Sequence, residues 1–309
     1  MKGLISKSSS IMAKSFAMII IILAHCGSNL IEITPPHWVE HCGYWGTGVF
    51  FCLSGYGLTL SMNRSELNTA YLFRHLKKLF IPWFIYWMFM SLAILIVVPQ
   101  KITSDFLTDF LQLGGPGTDL WFFRVIVILY IAYYILSKYI QHYNMQILTV
   151  VVLIYVIIAM FTLGYYWWNS IFCFPLGVLM AKYQGCFLKN YKIILALSVL
   201  CCFLCYRYGT RYYHMASIQG GMIEIISSIS FSIATILMFS YIMKSEIQFV
   251  NYIGRESIYF YLLEFIPMFF FPLHKSNLLI YTLETILCTY FLVWGVNLRK
   301  YIVHGKKCK

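Results

Sequence analysis

Charge is scarce in this chain. Of 309 residues only 11 are acidic, and charged residues of both signs make up 11%, against about 25% in an ordinary soluble domain. That shortage excludes a water-soluble fold of this length. Other familiar signatures are missing as well. Gly114-Gly-Pro-Gly117 lacks the Gly-Lys-Ser/Thr ending and the strand–helix setting of a nucleotide phosphate loop, and reads as an external turn. The ten cysteines lie mostly inside apolar runs, where a thiol behaves as a small hydrophobe, so they do not read as a disulfide framework. Cys201, Cys202 and Cys205 have no His or second Cys pair to complete a ligand set, and no metal site is expected. There is no internal repeat, no low-complexity tract and no long connection, so residues 1–309 read as one membrane domain whose chemistry must come from helix faces and short loops. Transporters often carry inverted repeats with paired broken helices, and the lack of a repeat weighs against transport.

Apolar residues are plentiful: 61% are hydrophobic, 19% aromatic, and the mean hydropathy is +0.75. Runs long enough to approach a bilayer crossing fall at 11–31, 44–61, 79–99, 119–137, 146–164, 168–182, 191–206, 222–243, 255–273 and 278–298. A crossing helix takes about 17–25 residues, which leaves 168–182 and 191–206 the shortest of the ten. The first run follows Lys2, Lys7 and Lys14 in the manner of a signal peptide. It is too long for one and no small-residue cleavage site follows, so it is expected to be a retained span. The net charge of +12 would suggest nucleic acid in a soluble protein. Here the basic residues flank apolar runs, so orientation and anionic membrane lipids explain them, and no nucleic-acid partner is expected. With ten spans, 18 of the 23 Lys and Arg fall on the side that holds both termini. The expected fold is therefore an all-α integral membrane bundle of about ten transmembrane helices with both termini cytoplasmic.

Three stretches carry chemistry-bearing residues. Lys14 precedes His25 by eleven residues in the first run, a spacing of about three turns or 16 Å that brings both side chains to nearly one helix face. Ionisable groups at such depth are costly and mark functional sites, although a snorkelling lysine and a hydrogen-bonded histidine explain each residue singly. Gly48-Val-Phe-Phe-Cys-Leu-Ser-Gly-Tyr-Gly57 offers small residues for close helix packing, or a hydroxyl at Ser54 beside bare backbone. No His-Asp pair stands near Ser54 to make it a nucleophile. In Tyr71-Leu-Phe-Arg-His-Leu-Lys-Lys-Leu-Phe-Ile-Pro82, the residues Arg74, Lys77 and Lys78 fall within about 100° of a helix face. Three cations there suit either a phosphate clamp or a grip on anionic lipid.

These stretches in order, followed by Leu120-Trp121-Phe122-Phe123, resemble membrane acyltransferase family 3, which includes bacterial O-acetyltransferases of surface polysaccharides. The resemblance implies acetyl-CoA as cytoplasmic acyl donor, with no bound cofactor, and a glycan or lipid-linked sugar hydroxyl as acceptor. It puts His25 at the essential histidine position, Lys14 at its basic partner, and Arg74, Lys77 and Lys78 at the loop proposed to hold coenzyme A phosphates. It also implies a bacterial cytoplasmic membrane location. Three positions depart from the pattern: His75 replaces a common basic residue, Arg124 follows the Trp121 motif without the usual Glu, and Glu264 stands where many members place a histidine.

A histidine titrates closest to working pH, so His25 suits the base for an alcohol attacking a thioester, or a transient acyl carrier. Glu224, Glu264 and Glu284 fall inside apolar runs and call for partners, with Arg124 and His25 as candidates and Glu264 ranked before Glu224. Trp38, Trp45, Trp121, Trp167 and Trp168 fall near the outer boundary, where an aromatic belt or sugar stacking accounts for them. The leading reading is an integral-membrane O-acetyltransferase. A proton-coupled transporter or polysaccharide exporter, and an idle scaffold for glycan synthesis, remain as alternatives.

Overall fold

The computed structural model describes residues 3–31, 33–64, 66–98, 105–116, 118–212, 217–242, 247–271 and 273–305. Lys2, Lys101, Lys244, Lys306, Lys307, Lys309 and Gly117 lie outside the described residues, as do the side chains of Arg211, Arg299 and Lys300. The helices are α1 (Lys7–Ser28), α2 (His37–Met62), α3 (Thr69–Val97), α4 (Asp105–Leu111), α5 (Trp121–Tyr139), α6 (Asn144–Thr162), α7 (Cys173–Lys182), α8 (Gln184–Lys189), α9 (Tyr191–Tyr212), α10 (Ile218–Tyr241), α11 (Gln248–Arg255), α12 (Ser257–Leu263), α13 (Phe265–Phe270) and α14 (Leu278–Gly305). A 3-10 turn at Tyr165–Trp167 precedes α7, and no strand occurs among the described residues.

The long helices start where local chemistry lets them. Ser6, Asn68 and Ser217 stand just ahead of α1, α3 and α10, and each side-chain oxygen accepts from a backbone N–H three residues on, at 3.0, 2.9 and 3.0 Å. That satisfies a donor with no partner inside the first turn. Proline acts inside two other segments. Pro82 lies within α3, where it cannot donate to the Lys78 carbonyl. Pro267 cannot donate to the Leu263 carbonyl and its ring crowds it, and there the chain breaks into α12 and α13 with Glu264 at the join.

Among the described residues, seven helices are long and apolar enough to cross a membrane: α1, α3, α5, α6, α9, α10 and α14. The other three of the ten expected runs do not pass on length and composition. The run at 168–182 yields only the ten-residue α7 after an irregular start, and the run at 255–273 is divided at Glu264. The run at 44–61 becomes the 26-residue α2, which is long but rich in Gly, Ser, Thr and Tyr. Burial explains that composition. α2 packs against α1, α7 and α10 and buries most of its residues against protein, so it does not need the hydropathy of a lipid-facing helix.

Without a hydrophobic drive between helices in lipid, close approach and dispersion hold them together. The tightest crossing joins α2 to α7. A Cβ on Gly177 would run into the Cys52 carbonyl, and one on Gly55 would run into the Phe174 carbonyl. In the same way α11 lies on α1 at Gly254, where Ser15 Oγ also donates to the Val250 carbonyl. These contacts set α12, which starts two residues after α11, between α1 and α3.

Candidate active site

α1 carries His25 three turns beyond Lys14 and presents its ring to the broken α12–α13 segment. His25 Nδ1 lies 2.8 Å from Glu264 Oε1, and the Glu264 side chain is 0% exposed while that of His25 is 28% exposed. A carboxylate accepts, so Nδ1 is the protonated nitrogen and Nε2 carries the free lone pair. Among the described residues Nε2 has no partner, and Glu264 Oε2 is buried without one. Phe265 and Tyr261 stand beside the imidazole at ring separations of 5.2 and 6.4 Å, so the pair sits in an aromatic wall. An oriented imidazole with one open nitrogen is chemically equipped to take and return a proton.

Glu264 was legible as a carboxylate in an apolar run, but its accessibility to His25 depends on the break. A signal for the break itself is Pro267, three residues downstream. Proline in an apolar run forces a neighbouring turn open, and a polar side chain at that turn can face inward.

The second part of the site is a cavity of about 700 Å³ between the first turns of α3 and the α11–α12 junction. Arg74, Lys77 and Lys78 line one wall with His75, and Arg255, Glu256 and Tyr259 line the other. The three sequence-predicted cations thus share one cavity. His75 is fixed there: Nδ1 donates to the Tyr71 carbonyl at 2.9 Å and Nε2 stands 3.4 Å from Ser61 Oγ. The α3 N-terminus adds partial positive charge. Glu256 is the one acid of the lining and accepts from Asn297 Nδ2 at 3.3 Å. Its lining carries four cations, Arg74, Lys77, Lys78 and Arg255, against that one acid, a balance that attracts anions. Arg255 and Tyr259, which sequence reasoning did not single out, join it from the two sides of the bend at Glu256 between α11 and α12.

Lys14 is half-buried and lies within electrostatic range of Lys78, although it is not part of the cavity lining. His25 is likewise outside the lining. α12 connects the two parts, since Tyr259 lines the cavity and Glu264, five residues on, holds His25. Five residues of helix rise about 7.5 Å.

The remaining candidates lie elsewhere. Arg124 is one of the two candidate partners for the buried carboxylates, the other being His25. Instead its Nη2 is 3.5 Å from Asp119 Oδ1 and its guanidinium lies 5.7 Å from the Trp167 ring centre, with neither Glu224 nor Glu264 as partner. Burial pushes the Asp119 carboxyl above its ordinary range, against the pull of that guanidinium. Glu224 on α10 is buried too, but accepts from Asn169 Nδ2 at 3.1 Å and not from Arg124 or His25. Glu284 pairs with His274 Nδ1 at 2.5 Å, and also accepts from the His274 backbone N–H. Ser54 stands within hydrogen-bonding reach of Tyr130, which ties α2 to α5. Trp121 packs in an aromatic group with Phe51, Phe122, Tyr166 and Trp167. Trp168 is buried over Gly221 and Trp45 donates to Ser227 Oγ at 2.8 Å, so these two rings belong to the helix packing and not to a lipid-facing belt. Among the described residues no three His, Cys, Asp or Glu gather as a metal-ligand set.

A family model described as an acyltransferase domain, that of the family 3 acyltransferases, matches residues 9–297. No curated protein and no solved structure matches the chain.

Proposed function

The chain belongs to acyltransferase family 3, and from that premise we propose that it moves an acetyl group from cytoplasmic acetyl-CoA to a hydroxyl of an envelope or capsular polysaccharide, or of its lipid-linked precursor. The observation that carries this reading is the 2.8 Å contact of His25 Nδ1 with a fully buried carboxylate, which leaves Nε2 free. In the reaction the acceptor hydroxyl gives its proton to Nε2 as its oxygen attacks the thioester carbonyl. The tetrahedral intermediate collapses with departure of the coenzyme A thiolate, and the proton returns from Nε2 to that sulfur. Glu264 holds the imidazole in the useful tautomer and offsets the charge it gains, the task a carboxylate performs beside a catalytic histidine elsewhere.

Arg74, Lys77 and Lys78 receive the donor's phosphates, with Arg able to bind them through two parallel hydrogen bonds. Lys14 extends this positive field into the membrane from the cavity toward His25. The basic cavity and both termini then face the cytoplasm of a bacterial inner membrane, with the acceptor approaching from the far end of α1.

Two measurements test the reading. Vesicles containing the purified protein should consume acetyl-CoA and acetylate an added glycan acceptor, and mass spectrometry of the surface glycan should show acetyl groups only in cells that make the protein. Consumption without a modified glycan would remove the acceptor from the proposal. In the same assay Arg74→Ala and Lys77→Ala should each raise KM for acetyl-CoA about tenfold with a much smaller change in kcat, because a phosphate far from the thioester is held equally in ground and transition states.

A further inference from the structure

A second cavity of about 540 Å³ opens beside the first, lined by Lys7, Ser8 and Ile11 from the start of α1 and by Gln248, Asn251 and Arg255 from α11. Arg255 is the residue the two linings share. The second lining contains two cations, three neutral polar side chains and no acid. Among the described residues the adjacent acid, Glu256, belongs to the first lining and accepts from Asn297. A pair of cations around a polar space whose lining holds no acid fits a further anionic group.

The order of groups along the fold is informative. The second cavity comes first, then Arg255, then the Arg74–Lys77–Lys78 wall, and then α12 leading to Glu264 and His25. Along the chain Arg255 precedes Glu264 by nine residues, with the bend at Glu256 and then α12 between them. A donor laid in that order has one anionic group near Arg74, a second beyond Arg255, and a neutral arm toward the imidazole. Resting on the donor reading above, we infer that Arg255 with Lys7 forms a separate subsite for the phosphomonoester on the ribose of free coenzyme A, so that the enzyme selects a nucleotide-bearing thioester over a pantetheine arm that lacks this phosphate. A carrier-protein thioester, which has a single phosphodiester and no nucleotide, leaves the second cavity unfilled.

Arg255 is exposed, in the last turn of α11, where its charge also faces that helix's final carbonyls. A purely capping role predicts no dependence on which donor is offered. The test is steady-state transfer by the full-length protein in vesicles, with acetyl-CoA and acetyl-dephospho-CoA as alternative donors. The wild type should prefer acetyl-CoA about tenfold in kcat/KM, the worth of a charge-assisted contact. Arg255→Ala should bring the ratio near one through KM, and Arg255→Lys should retain part of the preference. Lys77→Ala should weaken both donors and keep the ratio. Equal use of both donors by the wild type, or an Arg255→Ala protein with the ratio intact, overturns the subsite. Transfer from neither donor overturns the donor reading and the subsite with it.

Discussion

His25→Ala protein is expected to insert in the membrane, retain the donor and transfer nothing measurable. Removing a positioned acid–base group typically costs 10²–10⁴ in rate, and here no second imidazole stands within the described contacts of the site to replace it. Glu264→Gln separates the two roles of the carboxylate. The amide oxygen still accepts from Nδ1, so orientation persists, but the negative charge that favours a protonated imidazole is gone. A loss of about 10–100-fold in kcat is expected for that variant, with a larger loss for Glu264→Ala, which also frees the ring. The check is kcat for glycan acetylation at saturating acetyl-CoA, alongside donor binding by the same preparations. Normal acetylation by His25→Ala would end the catalytic assignment. Accumulation of labelled acetyl on wild-type protein, absent from His25→Ala, would favour the acyl-carrier form of the mechanism over the base.

The second large effect is on folding. Gly177→Leu is expected to abolish the α2–α7 crossing, because even the first side-chain carbon meets the Cys52 backbone carbonyl. A flexible side chain could move aside, but a carbonyl fixed in a helix cannot do so without displacing α2. Overpacking typically costs about 1–3 kcal/mol, and a backbone clash between two helices belongs at or above the top of that range. The expected result is little monodisperse protein after solubilisation and a lowered melting temperature in what remains. Gly57→Ala is the matched control, since its added carbon meets nothing within 4 Å and alanine is the better helix former. A Gly177→Leu protein as stable as Gly57→Ala would show that the helices are farther apart than the structure places them.

Some of this site could be read from the chain before any coordinates. Lys14 and His25 share a face by spacing alone, and Arg74, Lys77 and Lys78 do indeed line one cavity. Glu264 was ranked before Glu224 among the carboxylates that Arg124 or His25 could pair with, although spacing says nothing of contacts between residues some 200 or more positions apart. The pairing offered for Arg124 was wrong because a nearer acid, Asp119, lies five residues before it. Hydropathy marks seven of the ten expected spans among the described residues. Hydropathy reports what lipid requires, and α2 is shielded from lipid by its neighbours.

The amino-acid sequence by itself determined an all-helical membrane chain, the family it belongs to, and which ionisable residues fall inside apolar runs. Those follow from local quantities: the length of apolar runs, the helical period and the kinds of side chain present. Tertiary structure alone decided that Glu264 meets His25, that α11 returns to put Arg255 opposite the α3 cations, and that Glu224 goes to Asn169 instead. Each of these depends on how closely distant helices approach, and that approach is set by glycine contacts and a proline break whose effects no single segment contains.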